Sequence, residues 1–232
     1  MALEVKICGL GNAEALDVAV SAGARMVGFV FFPPSPRAVA PAVAAALARR
    51  VPEHVSRVGL LVDADDDAIS AVLAQVPLDF LQLHGRETPA RVADVRTRFR
   101  LPVIKAIFVE EPRDLAAAEP YAAVADRLLF DARAPKGASR PGGNARAFDW
   151  QLLAGHAWPV PWLLAGGLHA GNLAEAVQRS GASAVDVSSG VEDAPGHKNA
   201  ALIRAFLDAA ARIELAPDAA PAVASGGSAA YI

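Results

Sequence analysis

Short runs of apolar, often β-branched residues alternate along the chain with Ala-rich segments whose apolar positions recur every three to four residues. The runs fall at residues 3–8, 26–32, 57–63, 79–83, 102–107, 127–131, 161–165 and 184–187, which predicts eight strands. Helices are predicted to begin near Asn12, Ala38, Asp65, Pro89, Glu111, Phe148, Ala170 and Lys198. Most of these starts have Asn, Asp, Glu or Pro at or within a few residues of the position named, residues that satisfy or lack the unpaired N–H groups of a first turn. Strict alternation of eight strands with eight helices predicts an α/β fold, a single (βα)8 TIM barrel with a parallel eight-stranded sheet. An open doubly wound sheet is the rival, but no GxGxxG follows the first strand. Residues 1–215 are read as one catalytic barrel domain. Residues 216–232, rich in Ala, Pro, Gly and Ser and without a periodic apolar face, are expected to form a mobile tail.

Composition narrows the function. With 53% hydrophobic and 20% charged residues among 232, the chain has the makeup of an ordinary globular domain. A net charge of -3 and scattered Lys and Arg leave no basic stripe for nucleic acid or for an anionic membrane surface. The uncharged stretches are interrupted by proline and fall short of the ~20 residues that span a bilayer. Cys8 is the single cysteine, so no internal disulfide forms, and with no leader-like N-terminus a cytoplasmic protein is expected. The periodicity does not distinguish a monomer from a homodimer.

Candidate chemistry comes from polar residues inside strands, where burial on both faces makes a charge costly. Period-two alternation places Lys6 and Cys8 on one face of the first strand, toward the lumen, with Val5 and Ile7 outward. The same reading puts Gln82 and His84 together on the fourth strand, Lys105 inward beside an outward Ile104, and Asp186 inward between Val185 and Val187. A lumen ion-pair cluster of Lys6, Lys105 and Asp186 is the purely structural alternative. Cys8 ends its strand beside the Lys6 ammonium, which favours a thiolate and predicts a lowered pKa and a role as base. Asp131, at the carboxyl end of the sixth strand, is the complementary candidate acid, provided burial favours its protonated form. His84 ends the fourth strand and either lines the site or makes a local hydrogen bond.

Gly166-Gly167 after the seventh strand and Ser189-Gly190 after the eighth can bring backbone N–H groups onto an anion, and these two loops form the recurrent phosphate site of such barrels. Helix capping is the bland reading. Arg37, in Pro34-Ser35-Pro36-Arg37, is a candidate carboxylate grip. The five histidines have no metal-ligand spacing, so neither metal nor cofactor is expected. The segment 132–147, with Arg133, Lys136, Arg140 and Arg146, is read as a flexible loop at the mouth. These features suit a small phosphosugar substrate.

Six segments together resemble the phosphoribosylanthranilate isomerase family: Lys6-Ile7-Cys8-Gly9-Leu10, Gly28-Phe29-Val30-Phe31 with Ser35-Pro36-Arg37, Leu81-Gln82-Leu83-His84-Gly85, Phe148-Asp149-Trp150, Leu164-Ala165-Gly166-Gly167-Leu168, and the run from Val185 to Glu192. They occur in order from the first strand to the eighth, and the resemblance covers about residues 3–212. The resemblance implies a cofactor-free Amadori rearrangement of N-(5-phosphoribosyl)anthranilate in tryptophan biosynthesis. It also implies Cys8 as base, Asp131 as acid, Arg37 as the holder of the anthranilate carboxylate, Asp186 near the substrate amine, and Gly167 with Ser189-Gly190 around the phosphate. The chain departs from the family pattern at Asn144-Ala145, where Thr/Ser-Gly is usual, and at Gly11, where Thr is frequent. A related sugar isomerase of histidine synthesis would carry aspartate at Cys8, and a non-catalytic phosphosugar-binding barrel would have no need of Cys8 and Asp131 together.

Overall fold

The computed structural model describes residues 2–134, 137, 142 and 147–215. Lys136, Arg140, Asn144, Ala145 and Arg146 of the mouth loop and the tail at 216–232 lie outside the described residues. Eight parallel strands close into a barrel in sequence order. They are β1 (Glu4–Cys8), β2 (Met26–Val30), β3 (Ser56–Leu61), β4 (Phe80–Leu83), β5 (Val103–Val109), β6 (Arg127–Ala132), β7 (Trp162–Leu164) and β8 (Ala184–Val187). β1 closes the barrel on β8, with Lys6 beside Asp186 and Ile7 beside Val187.

Helices α1 (Ala13–Ser21), α2 (Pro41–Ala48), α3 (Asp66–Leu73) and α4 (Pro89–Phe99) follow the first four strands. Their starts are chemically marked. The side chains of Asn12, Asp65 and Thr88 accept from the backbone N–H of Ala15, Ala68 and Arg91, and Pro41 and Pro89 occupy first-turn positions where no N–H is needed. The fifth predicted helix is two short turns, α5 (Arg113–Ala116) and α6 (Glu119–Ala122), because Pro120 lacks an N–H and can only open a new first turn. The helix predicted near Phe148 is a single 3-10 turn over Trp150–Leu153, ended by Gly155 at φ 74° and followed by Pro159 and Pro161. Two further helices, α7 (Leu173–Ser180) and α8 (Ala200–Ala211), complete the outer ring. Between β8 and α8 an unpredicted hairpin forms from β9 (Glu192–Ala194) and β10 (His197–Lys198). Among the described residues no helix is long and apolar enough to cross a membrane.

Most of the core lies between sheet and helices, where Ile7, Phe29, Leu81, Phe130 and Phe206 are fully buried. The lumen holds a separate apolar plug of Met26, Val58, Ile104, Ala106, Leu129, Leu163, Ala165 and Ala184. Below it Arg127 ties to Glu4 at 2.9 Å and stacks over Phe80. This plug reverses the expectation for β5. Ile104 is the residue in the lumen, level with Gln82, whereas Lys105 shares the outer face with Leu83. Both faces of β5 are apolar enough to be buried, so its alternation was ambiguous, and only the charge favoured the lumen. Outside the sheet Lys105 finds its own partners, Glu87 at 2.8 Å and the carbonyls of Leu83 and Gly85 at 3.2 and 2.9 Å. The lumen pair is therefore Lys6 and Asp186 alone, without Lys105.

Candidate active site

Above the plug, at the carboxyl ends of the strands, lies a cavity of about 750 Å³, counting the solvent space at its open mouth. Cys8, Arg37, His84, Asp131, Gly166, Gly167, Asp186 and Ser189 all line it, so eight of the nine predicted site residues border one cavity. The ninth, Gly190, sits directly behind: a Cβ there would overlap the carbonyl oxygen of Leu168. That contact locks the two glycine loops together. Gly166 and Gly167 have φ of 86° and 65°, a conformation that only glycine adopts without strain. The backbone N–H groups of Gly167, Ser189 and Gly190 have no acceptor among the described residues. Unpaired amides on two abutting loops make a cup for an anion.

Cys8 and Lys6 point into the lumen as alternation requires. Lys6, fully buried, donates to Asp186 Oδ1 at 2.9 Å. Burial pulls the Lys6 pKa down, but the Asp186 carboxylate, with a smaller contribution from Cys8, outweighs it and holds the ammonium above its ordinary value. Cys8 departs from the sequence expectation. Burial pushes its thiol up, Lys6 pulls it back, Asp186 opposes Lys6, and the thiol ends above its ordinary 9.0 rather than below it. The ammonium expected to activate Cys8 is already paired with a carboxylate. In the ligand-free protein the rate of Cys8 alkylation by iodoacetamide is therefore expected to go on rising beyond pH 9.0, since only thiolate reacts. A plateau reached below that pH would show that the cations outweigh burial.

Space around the sulfur is provided by β2. Gly28 is level with Cys8 in the sheet, and a Cβ on it would lie 3.0 Å from Sγ and 3.2 Å from Lys6 Nζ. A methyl there has to displace the thiol or the ammonium. Gly28→Ala is expected to lower kcat about tenfold with a melting temperature changed by only a few degrees, by the scale of a misplaced reacting group; unchanged kcat would mean that the sulfur has room to shift.

Across the cavity Asp131 Oδ1 accepts from the N–H of Ala132 at 2.8 Å, and Oδ2 lies 3.3 Å from His84 Nε2. His84 Nδ1 is 2.9 Å from Gln82 Nε2, and the ring meets Phe108 edge-on. Gly142 covers this pair so closely that a Cβ would run into His84 Nε2 and come within 2.7 Å of Asp131 Oδ2. His84 thus lines the cavity and also has local polar partners in Gln82 and Asp131, so both readings of its sequence position hold.

Arg37 is buried and already gripped, with Nε and Nη2 donating to Glu192 Oε1 and Oε2 at 2.7 and 2.8 Å. Glu192 in turn accepts from Lys198 Nζ at 2.6 Å, and Lys198 also donates to the carbonyl of Ser188 at 2.9 Å. Burial raises the Glu192 pKa, but Arg37 and Lys198 more than reverse this and hold it below 4.5. Burial likewise brings Lys198 down despite Glu192. Sequence reading assigned no role to Glu192 or Lys198. The signal was present in Glu192-Asp193-Ala194-Pro195-Gly196-His197-Lys198, where Pro-Gly marks a turn that places Glu192 opposite Lys198.

Residues 5–209 match the family model for N-(5'phosphoribosyl)anthranilate (PRA) isomerase. The N-(5'-phosphoribosyl)anthranilate isomerase of Paramagnetospirillum magneticum is 59% identical over 210 residues, spanning 90% of this chain and 98% of that protein. The crystal structure of phosphoribosyl anthranilate isomerase from Thermotoga maritima matches with a TM-score of 0.81 at 36% identity, covering 90% of this chain and 98% of that one. A crystal structure of phosphoribosyl anthranilate isomerase in complex with reduced 1-(o-carboxyphenylamino)-1-deoxyribulose 5-phosphate matches with a TM-score of 0.78 at 34% identity, with the same coverages of 90% and 98%. With a closed eight-stranded barrel and two glycine loops beside a thiol and a carboxyl group, the chain belongs to the N-(5'-phosphoribosyl)anthranilate isomerase family.

Proposed function

We propose that Cys8 and Asp131 divide between them the proton transfers of the isomerase reaction, in which N-(5'-phosphoribosyl)anthranilate becomes 1-(2-carboxyphenylamino)-1-deoxyribulose 5-phosphate on the route to tryptophan. The observation that carries this reading is that both side chains line one cavity also bordered by the glycine loops. The substrate phosphate sits in the cup of Gly166, Gly167, Ser189 and Gly190, where unpaired N–H groups meet its oxygens. Arg37, steadied by Glu192, turns its remaining edge to the anthranilate carboxylate, and Asp186 lies toward the amine.

The Asp131 carboxyl group protonates the ribose ring oxygen as the C1′–O bond breaks, with the amine lone pair closing to an iminium. The Cys8 thiolate then takes the proton from C2′, and those electrons form the C1′–C2′ double bond of an enolamine. A thiol held above its ordinary pKa gives a thiolate that is a stronger base toward this carbon acid. Protonation at C1′ and loss of the 2′-hydroxyl proton give the ketone, so the reaction exchanges no net proton.

The test is to supply the protein with enzymatically made phosphoribosylanthranilate and follow anthranilate fluorescence. Loss of signal with formation of the carboxyphenylamino ketose is expected. Binding without conversion would leave a phosphosugar-binding barrel instead.

A further inference from the structure

Gln82 lies one strand position below the carboxyl end of β4, fully buried, and takes no part in the chemistry above. Its Nε2 is 2.9 Å from His84 Nδ1, while its Oε1 is buried without a hydrogen-bond partner. His84 carries the contact onward, with Nε2 3.3 Å from Asp131 Oδ2. Amide, imidazole and carboxyl group therefore form a line of three with one orphaned oxygen at its inner end.

The two ends of an amide differ in that one donates and the other accepts. With Nε2 turned to His84, Nδ1 must be a bare acceptor, so the ring holds its proton on Nε2 and donates it to an Asp131 carboxylate. The imidazole–carboxyl pair then carries one proton. With Oε1 turned to His84, Nδ1 must carry a proton. The proton between Nε2 and Oδ2 then makes a second, held either as Asp131 carboxylic acid against a bare Nε2 or as imidazolium against carboxylate. With Nε2 turned to His84, Oε1 meets no donor among the described residues, so no hydrogen bond fixes that end of the amide. Amide orientation and proton load are linked.

We propose that Gln82 is a positioning residue for the acid: by presenting Oε1 to a protonated His84 Nδ1 it favours the two-proton form of the His84–Asp131 pair, from which the substrate's ring oxygen is protonated. This rests on Asp131 being the acid. The other charged groups that face the pair from neighbouring elements are Cys8 with Lys6 on β1, Asp186 on β8, and Arg37 with Glu192 across the mouth. Lys105 and Glu87 lie on the outer side of the sheet, and Asp63 packs against Gly85. None of these groups makes a hydrogen bond with Gln82 or with the His84 ring, so the amide alone addresses Nδ1 among the described residues.

The experiment is ring nitrogen NMR of His84 across pH in the full chain, together with Gln82→Glu and Gln82→Met and with steady-state kinetics. Glutamate can only accept at Nδ1 and methionine offers almost nothing. The pH at which the pair passes from two protons to one is expected to rise in Gln82→Glu and fall in Gln82→Met. In Gln82→Met kcat is expected to fall about tenfold at pH 8 with KM within twofold, the size of a weakened acid step. Shifts in the same direction, or none, overturn the proposal, because a merely structural glutamine has no reason to move the two variants apart. If neither variant folds, the wild-type spectrum decides: an Nδ1 that stays unprotonated throughout the active pH range overturns the linkage, and a protonated one upholds it. Full activity in Asp131→Asn would remove the acid itself. Loss of activity there with unmoved His84 titrations would overturn the role of Gln82 alone.

Discussion

Replacing Cys8 with alanine is expected to cut kcat by at least ~100-fold while the substrate still binds, the scale set by loss of a general base. The fold has little at stake. Among apolar side chains Cys8 packs with Val30 and Leu60 at the top of the lumen, with Phe32 and Val62 beside them, and alanine removes one sulfur from that small cluster. In the proposed binding mode the glycine loops and Arg37 hold the substrate by other atoms, so KM should move much less than kcat. Asp131→Asn is expected to produce a loss of similar size, because an amide keeps the contact with Ala132 within reach but has no proton to give to a departing ring oxygen. Fluorescence progress curves give kcat, and equilibrium quenching gives substrate affinity. A Cys8→Ala protein that turns over at the wild-type rate would take the thiol out of the reaction, and equal losses of affinity and rate would recast it as a binding residue.

The largest effect on stability is expected at the other end of the same strand face. Lys6 and Asp186 form a lumen pair joined at 2.9 Å with side-chain exposures of 0% and 8%. Two charges this dry are held by each other, and removing one strands its partner in apolar surroundings. Lys6→Met should therefore cost about 3–5 kcal/mol, or roughly 10 °C in melting temperature for a chain of this length. Combining it with Asp186→Leu should recover most of the loss, because an apolar pair has no unmet solvation. The change also removes the leading cation that pulls the Cys8 thiol down, so the pH at which iodoacetamide reacts should move further upward. A melting temperature within two or three degrees of wild type would mean that water reaches Asp186 from the mouth and solvates it.

Most of the barrel was legible because its signals are local. Asn12, Asp65 and Thr88 cap helices through their own side chains, and Lys6 and Cys8 disclose the lumen face of β1 by being polar where Val5 and Ile7 are not. β5 was misread because its two faces are equally apolar, and the partner of Lys105 is Glu87, 18 positions away and outside any strand. The thiol of Cys8 was misjudged for a related reason. Sequence places Lys6 beside it and Asp186 in the same lumen, but the lowered pKa was expected from the lysine alone, whereas burial raises the thiol and Asp186 opposes Lys6. Arg37 was found and its partner was not, since 155 positions separate it from Glu192. The Lys6–Asp186 pair across the seam could be read because both residues are polar on inward positions of their strands, but partners outside the barrel strands and far along the chain, Glu87 and Glu192, could not.

That seam has a consequence for how the enzyme is made. The hairpin of β9 and β10 is the last element before the final helix, yet it fastens a guanidinium that belongs to the second repeat. A nascent chain leaves the ribosome N-terminus first, so the Glu192 that holds Arg37 is made only after all eight barrel strands. Arg37 thus lacks its Glu192 partner until the last barrel strand has been made, and a chain ending before the hairpin would have all eight barrel strands without the carboxylate that fastens Arg37.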